Sequence, residues 1–64
     1  MTWEELQLFS VKFGGKIYDE CSITFGDIEF YDDGVVWIRC LEQPLCPPRT
    51  YKQMKNMIIN MYGE

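Results

Sequence analysis

The chain has 64 residues, of which 47% are hydrophobic and 16% aromatic, and a formal net charge of −4. That length makes one small domain over residues 1–64, and that apolar share excludes intrinsic disorder. No run of about 18 apolar residues exists to span a membrane, and the start Met1-Thr2-Trp3-Glu4-Glu5 lacks the basic and apolar regions of a signal peptide, so a cytoplasmic protein is expected.

Thr2 to Phe13 is the first element. Thr2-x-x-Glu5 is a capping box, and Trp3, Leu6, Phe9 and Phe13 share one arc at helical spacing before the Gly14-Gly15 stop. Leu8 and Val11 fall off that arc. A competing hairpin, with Phe9 to Phe13 as a strand and Gly14-Gly15 as its turn, mixes faces by setting Phe9 opposite Glu20, so the helix is preferred.

Residues 17–25 read as a strand in which Cys21, Ile23 and Phe25 alternate with Ser22 and Thr24. Gly26-Asp27 suits a type II′ turn, which pairs Phe25 with Ile28, Thr24 with Glu29, Ile23 with Phe30 and Ser22 with Tyr31. Asp32-Asp33-Gly34 then fits a three-residue loop closed by a glycine in the left-handed region. It pairs Tyr31 with Val35, Phe30 with Val36, Glu29 with Trp37, Ile28 with Ile38 and Asp27 with Arg39. The two turns agree on one core face of Cys21, Ile23, Phe25, Ile28, Phe30, Val36 and Ile38. A three-stranded antiparallel meander over about 17–25, 28–31 and 35–41 follows from this register.

Glu42 to Pro48 holds three prolines and reads as a stiff crossover that leaves the sheet. Thr50 to Gly63 is a second helix. Thr50-x-x-Gln53 caps it, Gly63 stops it, and Tyr51, Met54, Met57, Ile58, Met61 and Tyr62 occupy an arc of about 140°. The expected fold is α+β: a helix, the meander and a C-terminal helix. Leu6, Phe9, Phe13, Met54, Ile58 and Met61 bring both helices onto the core face of the sheet.

The chemistry is sparse. No histidine is present, no base stands by sequence to activate Ser10 or Ser22, and no phosphate-binding glycine loop occurs. Asp27, Glu29, Asp32 and Asp33 lack the spacing of a calcium loop. Cys21, Cys40 and Cys46 lack that of a zinc site, and a Cys40–Cys46 bridge would require a secreted protein. No enzyme, cofactor or metal is expected.

Charge and aromatic placement point to binding. Residues 1–34 carry eight acids and two bases; residues 35–64 carry two acids and four bases. An acidic front argues against direct DNA or RNA binding and toward a larger protein with a basic surface. The reverse face of the sheet bears Glu29, Tyr31, Trp37 and Arg39, residue types common in interface hot spots. The expected partner-binding set is therefore Asp27, Glu29, Tyr31, Asp32, Asp33, Trp37 and Arg39. In size and charge class alone, the chain resembles phage and mobile-element inhibitors of the anti-CRISPR kind, which implies a phosphate mimic acting on a nucleic-acid-handling enzyme. A homodimer, or a structural subunit of an assembly that buries Trp37 or a sheet edge, is the second expectation. A redox or metal role of Cys21, Cys40 and Cys46 is a third hypothesis, set against the expectation of no metal or cofactor.

Overall fold

The computed structural model describes residues 1–62, with the side chain of Tyr62 excepted. Its elements are α1 (Trp3–Lys12), β1 (Lys16–Asp19), β2 (Ser22–Phe25), β3 (Ile28–Tyr31), β4 (Val36–Ile38), β5 (Gln43–Pro44) and α2 (Tyr51–Tyr62). The five strands form one antiparallel sheet in the order β1-β2-β3-β4-β5. The fold is α+β as expected, but the meander has five strands rather than three.

Both capping boxes form. The Glu5 and Gln53 amides donate to Thr2 Oγ1 (3.2 Å) and Thr50 Oγ1 (3.1 Å), while the Glu5 and Gln53 side chains accept from the Thr2 and Thr50 amides at 3.0 and 2.9 Å. These bonds satisfy helix-start donors that water would otherwise have to serve. At the end of α1, Gly14 takes a positive φ of 93°. Gly15 N donates to Ser10 O and Gly14 N to Val11 O, the paired bonds of a Schellman stop. The helix reading of residues 3–12 therefore holds over the hairpin. The Gly63 stop lies outside the described residues.

The two boxes differ in titration. The bonds with Thr2 lower the Glu5 pKa, whereas Gln53 has no charge to lose. A carboxylate with a depressed folded pKa contributes stability above its unfolded value, and that contribution is lost as pH falls through the folded value. Acidification should therefore fray the start of α1 while the Thr50 cap persists. Amide exchange at Glu5 and Gln53, followed down in pH, reads this directly; equal loss of protection at both would contradict it.

The registers of β2–β3 and β3–β4 are those the turns dictate. Ser22 to Phe25 pairs with Tyr31 to Ile28, and Ile28, Glu29 and Phe30 pair with Ile38, Trp37 and Val36. Gly26 has φ 61° while Asp27 is not in the positive-φ region, as a type II′ turn requires. Gly34 has φ 98°, and its N–H bonds Tyr31 O at 3.0 Å. Arg39 N reaches Asp27 O at 2.9 Å, which adds the Asp27–Arg39 pair.

Two departures come from turns that lack glycine. The expected strand 17–25 is broken at Glu20-Cys21: Asp19 Oδ1 accepts from Cys21 N (2.8 Å) and Ser22 Oγ (2.9 Å), folding β1 back on β2 with a bulge between Ile17 and Asp19. Cys21 is consequently exposed in a turn and not on the core face. The expected crossover at 42–48 contains β5, because Glu42 adopts φ 52° and turns the chain back along β4. Leu45 N bonds Val36 O at 2.7 Å, so Trp37 and Pro44 form a non-hydrogen-bonded pair. The nitrogen of Pro44 then points off the sheet edge, where a missing N–H leaves no ladder bond unmade.

The core is Leu6 from α1, Ile23, Phe25, Phe30 and Val36 from the sheet, and Met54 and Ile58 from α2, all buried. Trp3, Phe9, Phe13, Ile28, Ile38, Leu45, Tyr51 and Met57 pack around it. Both helices thus serve one sheet face. Leu8 is 67% exposed, in keeping with its place off the helical arc, but Met61 is also exposed and contributes less to the core than its spacing implied. Ser10 is fully buried although it is polar; its Oγ donates to Gln7 O at 2.8 Å. Gly15 packs against it without room for a side chain: a Cβ added at Gly15 would lie 3.0 Å from Ser10 Cβ and 2.9 Å from Phe25.

Candidate functional site

The seven residues expected to bind a partner fall in three places. Asp32 and Asp33 form the tip of the β3–β4 hairpin. Asp33 Oδ1 accepts from Val35 N at 3.1 Å, so this acid shapes its own loop. Asp27 and Arg39 sit at the opposite end of the hairpin. There Asp27 Oδ2 accepts from Cys40 N (3.3 Å), and Arg39 Nη1 donates to Gly26 O (3.5 Å). Glu29, Tyr31 and Trp37 stand half-buried between the two ends, and Tyr31 and Trp37 are not among the side chains packed on the core. Asp27, Glu29, Tyr31, Trp37 and Arg39 share the outer face of the sheet, and Asp32 and Asp33 adjoin it at the tip.

The structure also assembles an acidic groove from segments far apart in sequence. It is open, holds about 760 Å³, and is walled by Glu4 of α1, Asp19 and Glu20 of the β1–β2 turn, and Asp32 of the hairpin tip. Trp3 and Tyr51 supply its aromatic wall, with ring centroids 5.5 Å apart, and no lysine or arginine lines it. Each wall is fixed by a hydrogen bond to backbone. Trp3 Nε1 donates to Glu20 O at 2.8 Å, and Gln7 Nε2 to Asp19 O at 3.4 Å, tying α1 to the first turn. The Tyr51 hydroxyl donates to Asp32 O, tying the start of α2 to the hairpin tip, and Asp32 N donates to Cys21 O at 3.0 Å, joining the two turns.

Negative charge gathered in this way shows in its neighbours. The Asp32 carboxylate is the main cause of a raised Cys21 thiol pKa, followed by partial desolvation, a hydrogen bond to Asp32, and the charges of Asp19 and Glu20. Tyr31 is raised by burial first, then by Glu29, Asp19 and Asp33. At the far end, a hydrogen bond to Asp27 raises Cys40. Thiols held protonated are poor nucleophiles. Asp32→Asn should therefore speed alkylation of Cys21 at neutral pH without changing Cys46, as read by site-resolved mass spectrometry; an unchanged Cys21 rate would contradict the assigned cause.

All three cysteines are free and exposed, and Cys40 and Cys46 lie beyond opposite ends of β5. Among the described residues, no group of three or more His, Cys, Asp or Glu is arranged to hold a metal ion. Among the same residues no helix is long and apolar enough to cross a membrane.

The groove was not evident from pattern. Trp3 and Tyr51 belong to the apolar arcs of their helices and read as core; Asp19-Glu20 reads as the interior of a strand until the turn is seen. The one available signal was the excess of acids in the first half of the chain. The chain matches no known protein family, and no significant match links it to a curated protein or a solved structure.

Proposed function

We propose that this protein is a small binding protein without chemistry of its own, which docks through its acidic end on the basic surface of a larger protein. The observation that carries this reading is the convergence of Glu4, Asp19, Glu20 and Asp32 around one groove that no cation lines, with Asp33 beside it on the hairpin tip. Carboxylates clustered without counter-charge repel one another in the free protein, and a basic partner relieves that repulsion while steering the encounter. Trp3 and Tyr51 add the aromatic area that anchors interfaces and can stack on an arginine.

The concrete version is inhibition of a nucleic-acid-handling enzyme by occupation of a phosphate-binding groove. Its support is the acidic end together with the small size of the chain.

The test is a paired capture. Wild type and the variant Asp19→Asn/Glu20→Gln/Asp32→Asn/Asp33→Asn are immobilised side by side. The asparagines keep the oxygen acceptors that Asp19 and Asp33 use in their turns, so the fold is retained. A protein held by wild type, released by salt and by single-stranded DNA, and absent from the variant is the expected result. Identical captures on both would overturn the reading.

A further inference from the structure

The outer face of the sheet has a character unlike the acidic end. One row crosses it from Lys16 through Thr24, Glu29 and Trp37 to Pro44, as the four strand registers dictate. Tyr31 and Val35 lie one step toward the hairpin tip on the same face, and the Asp27–Arg39 pair one step the other way. Trp37, Tyr31 and Val35 are half-buried and stand outside the packed core, since both helices lie on the opposite face. Lys16, Glu29 and Arg39 share one shallow depression on this face, and among the described residues Glu29 is in no salt bridge.

We infer that this face is an interface between two copies of the chain, related by a two-fold axis that runs in the plane of contact between Glu29 and Arg39. The occupant follows from the charges. A basic partner would meet Lys16 and Arg39, and an acidic one would meet Asp27 and Glu29, so the face carries two charges of each sign. An isologous contact needs one patch that complements itself, with residue i on j and j on i. With the axis between them, Glu29 of each copy lies over Arg39 of the other, and the apolar strip of Trp37, Val35 and Tyr31 is covered in the same step. Two sheets stacked about 10 Å apart in this way form a sandwich. A standard interface takes about 800 Å² from each partner, so the contact uses the whole of this side of a molecule whose longest extents are 27 and 26 Å. The acidic groove lies at the end of the sheet and stays free.

Sedimentation equilibrium of the purified chain tests this together with two charge reversals. Wild type is expected to move from 7.6 kDa toward twice that mass as concentration rises. Glu29→Arg alone and Arg39→Glu alone should each weaken dimerisation by about tenfold or more, because each sets two like-charged pairs in contact. Mixing the two single variants should restore a dimer made of one of each, since both pairs are then opposite in sign. Circular dichroism confirms that each variant is folded. A wild type that stays at 7.6 kDa up to millimolar concentration would overturn the inference. So would a dimer indifferent to the reversals, or singles that fail to recombine.

Discussion

Phe30→Ala should leave most of the protein unfolded at 25 °C. Phe30 is fully buried at the centre of the sheet, flanked by Ile23 on β2 and Val36 on β4, in the cluster that also takes in Leu6, Met54 and Ile58. Removing a buried phenylalanine ring costs about 3–5 kcal/mol, because the transfer energy is lost and the cavity collapses only in part. A domain this small has roughly that much stability in total. The variant's far-ultraviolet circular dichroism and urea titration should show a chain without a native baseline. A loss of less than about 1 kcal/mol would mean that the two helices do not close on the sheet at Phe30.

Gly34→Ala is the second large effect, and its cause is different. Gly34 ends the loop that turns β3 into β4, at φ 98°. The backbone of Arg49 lies against it: a Cβ there would stand 2.7 Å from Arg49 O and 3.3 Å from Pro48 Cβ, and Arg49 N donates to Gly34 O at 2.7 Å. Alanine must therefore bear the left-handed conformation and also push away the segment that delivers the chain to α2. The expected loss is about 3 kcal/mol. Gly26→Ala is the control. Gly26 has φ 61° but nothing within 4 Å of an added Cβ, so conformation alone acts and the loss should be smaller, about 1–2 kcal/mol. Equal losses at the two glycines would show that contact with Arg49 contributes nothing.

The sequence spoke most clearly where glycine and alternation agree. Gly26 and Gly34 announce their turns, and Ile23, Phe25, Ile28, Phe30, Val36 and Ile38 can share a face in only one register. The helix starts were equally plain, since Thr2 with Glu5 and Thr50 with Gln53 each state both halves of a reciprocal cap. What stayed hidden were the turns built by other means. Asp19 makes its turn with a side-chain oxygen, in the middle of a stretch whose alternation runs on through Cys21. Glu42 takes the left-handed conformation that glycine would have signalled, and Pro44 enters a strand because its nitrogen faces outward.

The same two gaps hid the site. Without the turn at Glu20, the acids at 19–20 cannot be placed beside Asp32, and without the tie from Trp3 Nε1 to Glu20 O, Glu4 has no reason to join them. Asp27 and Arg39, assigned to partner binding by their position on the hairpin, also brace its far end through Cys40 N and Gly26 O. Acids and aromatics gather in two places: an acidic end lined by Trp3 and Tyr51, and a sheet face of mixed charge around Trp37.

The most direct test of this separation is calorimetric titration of the captured partner with three proteins: wild type, the four-fold Asn/Gln variant of Asp19, Glu20, Asp32 and Asp33, and Glu29→Gln. The four-fold variant is expected to bind at least about tenfold more weakly, with a shallower salt dependence, and Glu29→Gln to keep wild-type affinity. Unchanged affinity of the four-fold variant, or a loss confined to Glu29→Gln, would contradict the claim that the acidic end is what meets the partner.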